Sequence, residues 1–161
     1  MATVLDLLPA EYGFVALAVI ASTVTVVLQG GSVMEARKLY KVPYPDMYAT
    51  VIEVDGKKYT NAKDPESAKL FNCAQRGHQN ALESHYYNLV LAVTGGLAAP
   101  VAAAGSLIVA TIGFREYARQ YRCAGPENRN NKLALCKYIG LLGLLGSNFY
   151  LAYVLLASKL H

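Results

Sequence analysis

Four long apolar runs, separated by polar stretches of unequal length, set the pattern of this chain. Tyr12 to Val33 carries no charge and is long enough to cross a hydrocarbon core, which takes ~20 helical residues. Glu35-Ala-Arg-Lys is a polar stop. Residues 39–65 then read as loop, punctuated by Pro43, Pro45 and Pro65, and Val51-Ile-Glu-Val-Asp-Gly-Lys-Lys-Tyr-Thr predicts a short hairpin turning at Asp55-Gly56. Behind Asp64, a capping residue with Pro65 at the first helical position, a second run continues to about Gly95. Ala98-Ala-Pro-Val turns the chain, and a third run reaches Tyr121 with charges only from Arg115 onward. Cys123 to Asn131 is loop by its Gly, Pro and Asn content, and a fourth run is apolar after Lys137. The pattern predicts helices over about residues 10–35, 66–95, 101–121 and 132–158. Gly140, Gly143 and Gly146 in the last of them permit close helix packing.

The expected fold is an all-α membrane protein, a four-transmembrane-helix bundle forming one domain over residues 1–161. Four spans put loops 34–69 and 122–131 on one side, and the Ala98 turn with both termini on the other. Every Lys and Arg except Lys159 then falls on the first side or in the adjacent helix ends, so that side is expected to face the cytosol. Composition points the same way: 54% hydrophobic, 16% charged, mean hydropathy +0.26. With no Trp and 12 Tyr, tyrosine must supply any interfacial belt. The net charge of +4, without an aromatic-basic groove, argues against a nucleic-acid partner. Asp6 and Glu11 precede the first run and no Lys or Arg does, so the first span is expected to stay uncleaved. Cys73, Cys123 and Cys136 are too few and scattered for a disulfide framework and fit a reducing compartment or a bilayer.

The chemistry concentrates in the second helix. At about 100° per residue, Asn72, Arg76, Asn80, Glu83 and Tyr87 form one stripe less than a quarter of the circumference wide, with His78 and His85 opposite. A central charge in lipid costs about 2.5–3.5 kcal/mol on the insertion scale, so the stripe must face protein or a wet cleft. Arg76 and Glu83 are seven residues apart, beyond the usual i,i+4 pair, so each is expected to have its own partner. On the third helix Tyr117 and Tyr121 align with Phe114, while Arg115, Arg119 and Arg122 make a separate basic stripe. For Arg119 and Arg122 a snorkelling helix end is the simpler reading. Glu116 can pair locally with Arg119 or Gln120. The two histidines lack further ligands at zinc-like spacing, and neither a phosphate-cradling glycine loop nor a nucleophile elbow is present. Arginines, an amide, a carboxylate and tyrosine hydroxyls suit a zwitterionic or peptide-like ligand, with Arg on carboxylates and Glu on an ammonium. An arginine beside a ligand thiol favours the thiolate; bringing a thiol from ~8.5 to ~6.5 takes about 2.7 kcal/mol.

Phe71-Asn-Cys-Ala-Gln-Arg-Gly-His-Gln-Asn-Ala-Leu-Glu83 closely resembles the second-helix signature of the membrane-associated proteins in eicosanoid and glutathione metabolism, the MAPEG family. Its Phe-Asn-Cys start is nearest to the microsomal glutathione transferases. Glu11-Tyr-Gly-Phe, Ala36-Arg-Lys-x-Tyr-Lys-Val-x-Tyr-Pro, Tyr117 with Tyr121, and Gly125-Pro-x-x-Arg129 extend the likeness over the chain outside residues 50–69. The resemblance implies a homotrimer with glutathione held between adjacent subunits toward the cytosolic side. It implies that Arg76, Asn80 and Glu83 contact glutathione, with His78 at a neighbouring motif position and Tyr117 and Tyr121 lining the site. Arg37 would reach in from the neighbouring subunit, and Arg129 would be the catalytic residue that activates the thiol. No protein nucleophile and no metal is then required. The implied activity is that of a glutathione transferase and peroxidase acting on apolar electrophiles or lipid hydroperoxides. The implied setting is among membrane lipids of the endoplasmic reticulum, with a mitochondrial membrane as the alternative. Three departures stand out: Phe114 where the family commonly has arginine, Ser84-His-Tyr-Tyr after Glu83, and an insertion in the first loop. They keep open a second reading, a non-catalytic lipid-binding member or an accessory subunit of a larger membrane complex.

Overall fold

In the computed structural model, which describes residues 8–160, the apolar runs become four helices: α1 (Tyr12–Tyr40), α2 (Pro65–Gly95), α3 (Pro100–Ala124) and α4 (Cys136–Leu160). Strands β1 (Val51–Val54) and β2 (Lys57–Thr60) lie between α1 and α2, and a single 3-10 turn, Pro126–Asn128, lies between α3 and α4. Met1–Leu7, including the Asp6 on which the uncleaved-terminus expectation rests, and His161 fall outside the described residues. α1 runs five residues past the expected stop at Glu35. Charges end a membrane span, but Glu, Ala, Arg, Lys and Leu are all good helix formers. The helix ends instead at Lys41, which is left-handed (φ 55°), with the Val42 N–H donating to the Arg37 carbonyl at 3.1 Å. α4 starts four residues later than expected because Asn131 holds the preceding turn, its side-chain oxygen accepting from the Ala134 N–H at 2.8 Å.

α3 is the central helix, packed against the other three. Its contact with α4 depends on missing side chains. A Cβ at Gly113 would run into the Lys137 backbone, one at Gly140 into the backbone of Ala110, and one at Gly143 into Ser106. Gly146, expected to pack in the same way, has open space beside it, because it lies on the outer side of α4. Two apolar clusters fill the bundle. Val15, Ala18, Ala92, Ala104, Leu107 and Leu144 form one, and Val33, Ala36, Val42, Ala49, Ala68, Phe71 and Ala74 the other. Asn148 ties α4 to α2, donating to the Leu91 carbonyl at 2.8 Å and accepting from Thr94 Oγ1 at 2.5 Å.

α1 and α4 are long and apolar enough to cross a membrane, with mean hydropathy 1.9 and 1.8 and only 22% and 17% of their apolar windows buried. Phe14, Leu17, Ile20, Val27, Phe149 and Leu156 all stand exposed. Apolar helices that leave most of their surface outside the protein require lipid or another apolar surface around them. The hairpin forms as expected: Val51 pairs with Thr60 and Val54 with Lys57, and Asp55 (φ 50°) and Gly56 (φ 72°) make the two-residue turn. Asp64 caps α2, accepting from the Ser67 N–H at 2.7 Å and the Ser67 hydroxyl at 2.8 Å.

Candidate functional site

α2 sorts its polar side chains to two sides, as its period requires. His78 and His85 face α1. A Cβ at Gly30 would come within 3.5 Å of His78 Nε2, and His85 Nε2 lies 3.3 Å from Thr23 Oγ1. Arg76, Asn80 and Glu83 line the opposite side, away from α1. Contrary to the expectation of separate partners, Arg76 Nη1 donates to Glu83 Oε1 at 3.1 Å, with the two side chains 42% and 53% exposed. Seven residues amount to about 10.5 Å of rise and nearly whole turns, and an extended arginine and a glutamate together close that gap. The pair is therefore within one helix, on its outer face.

The loop after α1 folds over one end of this line. Asn72 accepts from the Ala49 N–H at 2.7 Å and donates to the Ala49 carbonyl at 2.8 Å, pinning the loop to α2. One residue earlier, the Tyr48 hydroxyl donates to Gln79 and lies close to Arg76. Arg37 secures the other side of the loop. It is buried, its Nη1 donates to the Pro43 carbonyl at 3.0 Å and the Val42 carbonyl at 3.4 Å, and its guanidinium lies 4.5 Å from the Tyr44 ring centroid and 4.8 Å from that of Phe71. Reaching a site on another subunit would require Arg37 to give up these contacts.

Gly77, next to Arg76, brings α2 against the tyrosine end of α3. A Cβ there would come within 3.0 Å of the Ala118 carbonyl and 3.2 Å of Tyr121 Cβ. Tyr117 is buried, with the Tyr121 ring centroid 5.8 Å away. Over the Tyr117 ring sits Lys137 Nζ, 3.7 Å from its centroid and 5.9 Å from that of Phe114, while donating to Asn130 Oδ1 at 2.7 Å. Arg129 is close enough to act electrostatically on both Tyr117 and Lys137, and its Nη1 donates to the Pro126 carbonyl. Buried Glu116 anchors this corner, accepting from Arg119 Nε at 2.8 Å, Arg119 Nη2 at 2.7 Å, Gln120 at 2.9 Å and Asn131 at 2.6 Å.

Arg76, Glu83, Tyr117, Tyr121 and Arg129 thus gather at one end of the α2–α3 face, with Asn80 on the same line of α2. His78 stays apart against α1, and within the subunit Arg37 bonds to its own loop. The sequence pattern missed three participants: Lys137, the Glu116–Asn131 tie, and Tyr48. A lysine opening an apolar run reads as a topology signal, and nothing local shows that it folds back over a tyrosine twenty residues earlier. Among the described residues no group of three His, Cys, Asp or Glu side chains could hold a metal ion. The MAPEG family model matches residues 15–155, which takes in α2, α3, most of α1 and α4, and the whole of this constellation.

Proposed function

Because the chain belongs to the MAPEG family, we propose that it is a membrane glutathione transferase with peroxidase activity, of the kind of microsomal glutathione S-transferase 3. The observation that carries the reading is the outward-facing Arg76–Asn80–Glu83 line ending at Tyr117, Tyr121 and Arg129. On this reading Arg76 takes the carboxylate and Glu83 the ammonium of the amino-acid end of glutathione, and Asn80 the adjoining peptide group. Because the line faces out of the subunit, a second copy of the chain is expected to close the cleft, in a homotrimer of four-span subunits. The glutathione thiol gives its proton to water next to the cations of Arg129 and Lys137. The thiolate attacks an apolar electrophile delivered from the lipid, forming the carbon–sulfur bond as a leaving group departs with its electron pair or, in an addition, as a π bond opens and its far carbon takes up a proton. With a lipid hydroperoxide, the thiolate takes the distal oxygen as the O–O bond breaks, and the expelled lipid alkoxide takes a proton from water to leave as the alcohol. A second glutathione thiol then attacks the resulting sulfenic acid, giving the disulfide and water. An endoplasmic reticulum membrane, with loops 34–69 and 122–131 toward the cytosol, suits a soluble thiol meeting lipid-borne substrates; a mitochondrial membrane is the alternative.

Titrating glutathione into the protein in detergent while recording thiolate absorbance tests the proposal. Thiolate at neutral pH is expected, and its absence sinks the enzyme reading. Normal conjugation by Arg129→Ala would transfer thiol activation to Lys137 without touching the rest. Phe114 favours the second reading, a non-catalytic or accessory member, since no guanidinium stands at that position. Recovery of the native protein as a single copy among other subunits would support it, because the shared cleft needs a neighbour.

A further inference from the structure

The basic stripe of α3 has a counterpart on α1. Arg115, Arg119 and Arg122 lie within about 60° of arc, roughly 150° around the helix from Tyr117 and Tyr121, and so belong to a different face from the glutathione cleft proposed above. They line a cavity of about 120 Å³ whose other walls include Gln29 and Ser32 of α1 and Ala74 of α2. That volume holds several waters or one phosphate-sized group. Glu116 already neutralises Arg119. Arg115 and Arg122 form no ion pair among the described residues, and no carboxylate lines the cavity. Glu35, one turn beyond Ser32, lines a neighbouring hollow shared with Arg122.

Gln29 is the second observation. Its side chain lines both this cavity and a smaller hollow beside Asn88, and its Oε1, like Asn88 Oδ1, is buried without a hydrogen-bond partner. An orphaned amide is costly in an apolar helix unless something polar meets it, and either orientation of the amide offers a ligand a partner. Snorkelling accounts for arginines at a helix end, but it does not account for a hollow walled opposite them by an amide and a hydroxyl. Converging guanidiniums with neutral donors and acceptors around a small concavity are the chemistry of a phosphate site.

We propose that this cavity binds a phosphate group, presented by an anionic phospholipid at the membrane surface where α3 ends. The proposal is independent of the glutathione reading, since it uses none of the residues of the α2 line. Arg115 and Arg122 clamp the phosphate oxygens, Ser32 donates its hydroxyl, and Gln29 donates its amide N–H.

The test is lipid retention by native mass spectrometry of the intact protein from micelles containing phosphatidic acid and phosphatidylcholine, with inorganic phosphate as competitor. The wild type should retain phosphatidic acid preferentially. Arg115→Gln/Arg122→Gln should weaken retention on the order of tenfold or more. Gln29→Leu, which leaves the charge intact, should weaken it less. Lys38→Gln/Lys69→Gln, with the same charge loss elsewhere at this end, should leave it unchanged. Binding of inorganic phosphate that is lost in the double arginine variant, without any lipid preference, supports the site with a soluble source. Equal losses in the arginine and lysine variants, or no phosphate-dependent retention by the wild type, overturn it. Circular dichroism and melting in detergent establish that each variant is folded.

Discussion

Glu116→Ala is the substitution that most directly separates ligand holding from thiol activation. Glu116 is buried and accepts four hydrogen bonds. The Arg119 part is small, because that side chain is half exposed and its head returns to water, which leaves such a pair worth under about 1 kcal/mol. The bonds from Gln120 and Asn131 to a charged acceptor are worth about 1.5–3 kcal/mol each, partly recovered by hydration. A net loss of about 3 kcal/mol lowers the melting temperature by roughly 6–12 °C for a chain of this size. The consequence for the site is more specific. Freed from Glu116, Asn131 no longer fixes the segment between Arg129 and Lys137, whereas the Arg76–Glu83 line on α2 is untouched. Glutathione affinity at pH 7 should therefore fall only about fourfold, the share that thiolate stabilisation contributes, while the thiolate fraction falls roughly 25-fold if the full ~2.7 kcal/mol of stabilisation is lost. Glu116→Gln keeps an acceptor for Asn131 and should show about half of each effect. Melting in detergent and glutathione titration followed by thiolate absorbance measure the two quantities. An unchanged melting temperature, or lost glutathione binding with a normal thiolate fraction in what binds, would refute the reasoning.

Asn72→Ala removes both bonds that pin Ala49 and should cost about 2 kcal/mol, with faster proteolytic cleavage in the loop before the hairpin as the readout. Gly113→Ala puts a methyl group into the Lys137 backbone and should cost about 1–3 kcal/mol, whereas Gly146→Ala meets nothing; comparative melting of the two variants checks the helix contact. Lys137→Met keeps the volume but removes the cation over Tyr117, and is expected to lower the thiolate fraction without lowering the melting temperature. The Asp64 carboxyl is held below its ordinary value of 3.8, first by the Ser67 N–H and then by the Ser67 hydroxyl. Its capping contribution is complete above that value and lost as pH falls through the lowered one, so Asp64→Asn should flatten the acid limb of melting temperature against pH below about pH 4.

The helices were legible because length and apolar period are local properties, and the hairpin because Asp55-Gly56 is the dipeptide its turn demands. What stayed hidden depended on distance through space. The Arg76–Glu83 pair looked too far apart because the familiar i,i+4 rule describes neighbours, not what an extended guanidinium can reach. The bonds of Arg37 to Val42 and Pro43 arise only once α1 continues past Glu35 and the loop turns back beneath it. Lys137 and Phe114 meet only because Gly113 and Gly140 let α4 lie directly on α3. Phe114 read as a missing cation; the fold puts a lysine ammonium close to its ring.

The Arg76–Glu83 pair bears on how the proposed cleft would work. Its side chains are exposed on a helix whose neighbouring Leu82, Tyr86 and Val90 are also exposed. Either charge alone in lipid would cost about 2.5–3.5 kcal/mol, and pairing removes much of that. Within one subunit the two charges thus satisfy each other. A ligand carrying both a carboxylate and an ammonium can take the place of the pair without leaving either charge unmet, because Arg76 exchanges one carboxylate for another and Glu83 one cation for another. A ligand with a carboxylate alone would strand Glu83, and one with an ammonium alone would strand Arg76. The internal pair is therefore a filter as well as a resting state: it favours a zwitterion, as the amino-acid end of glutathione is, over simple anions and cations of similar size.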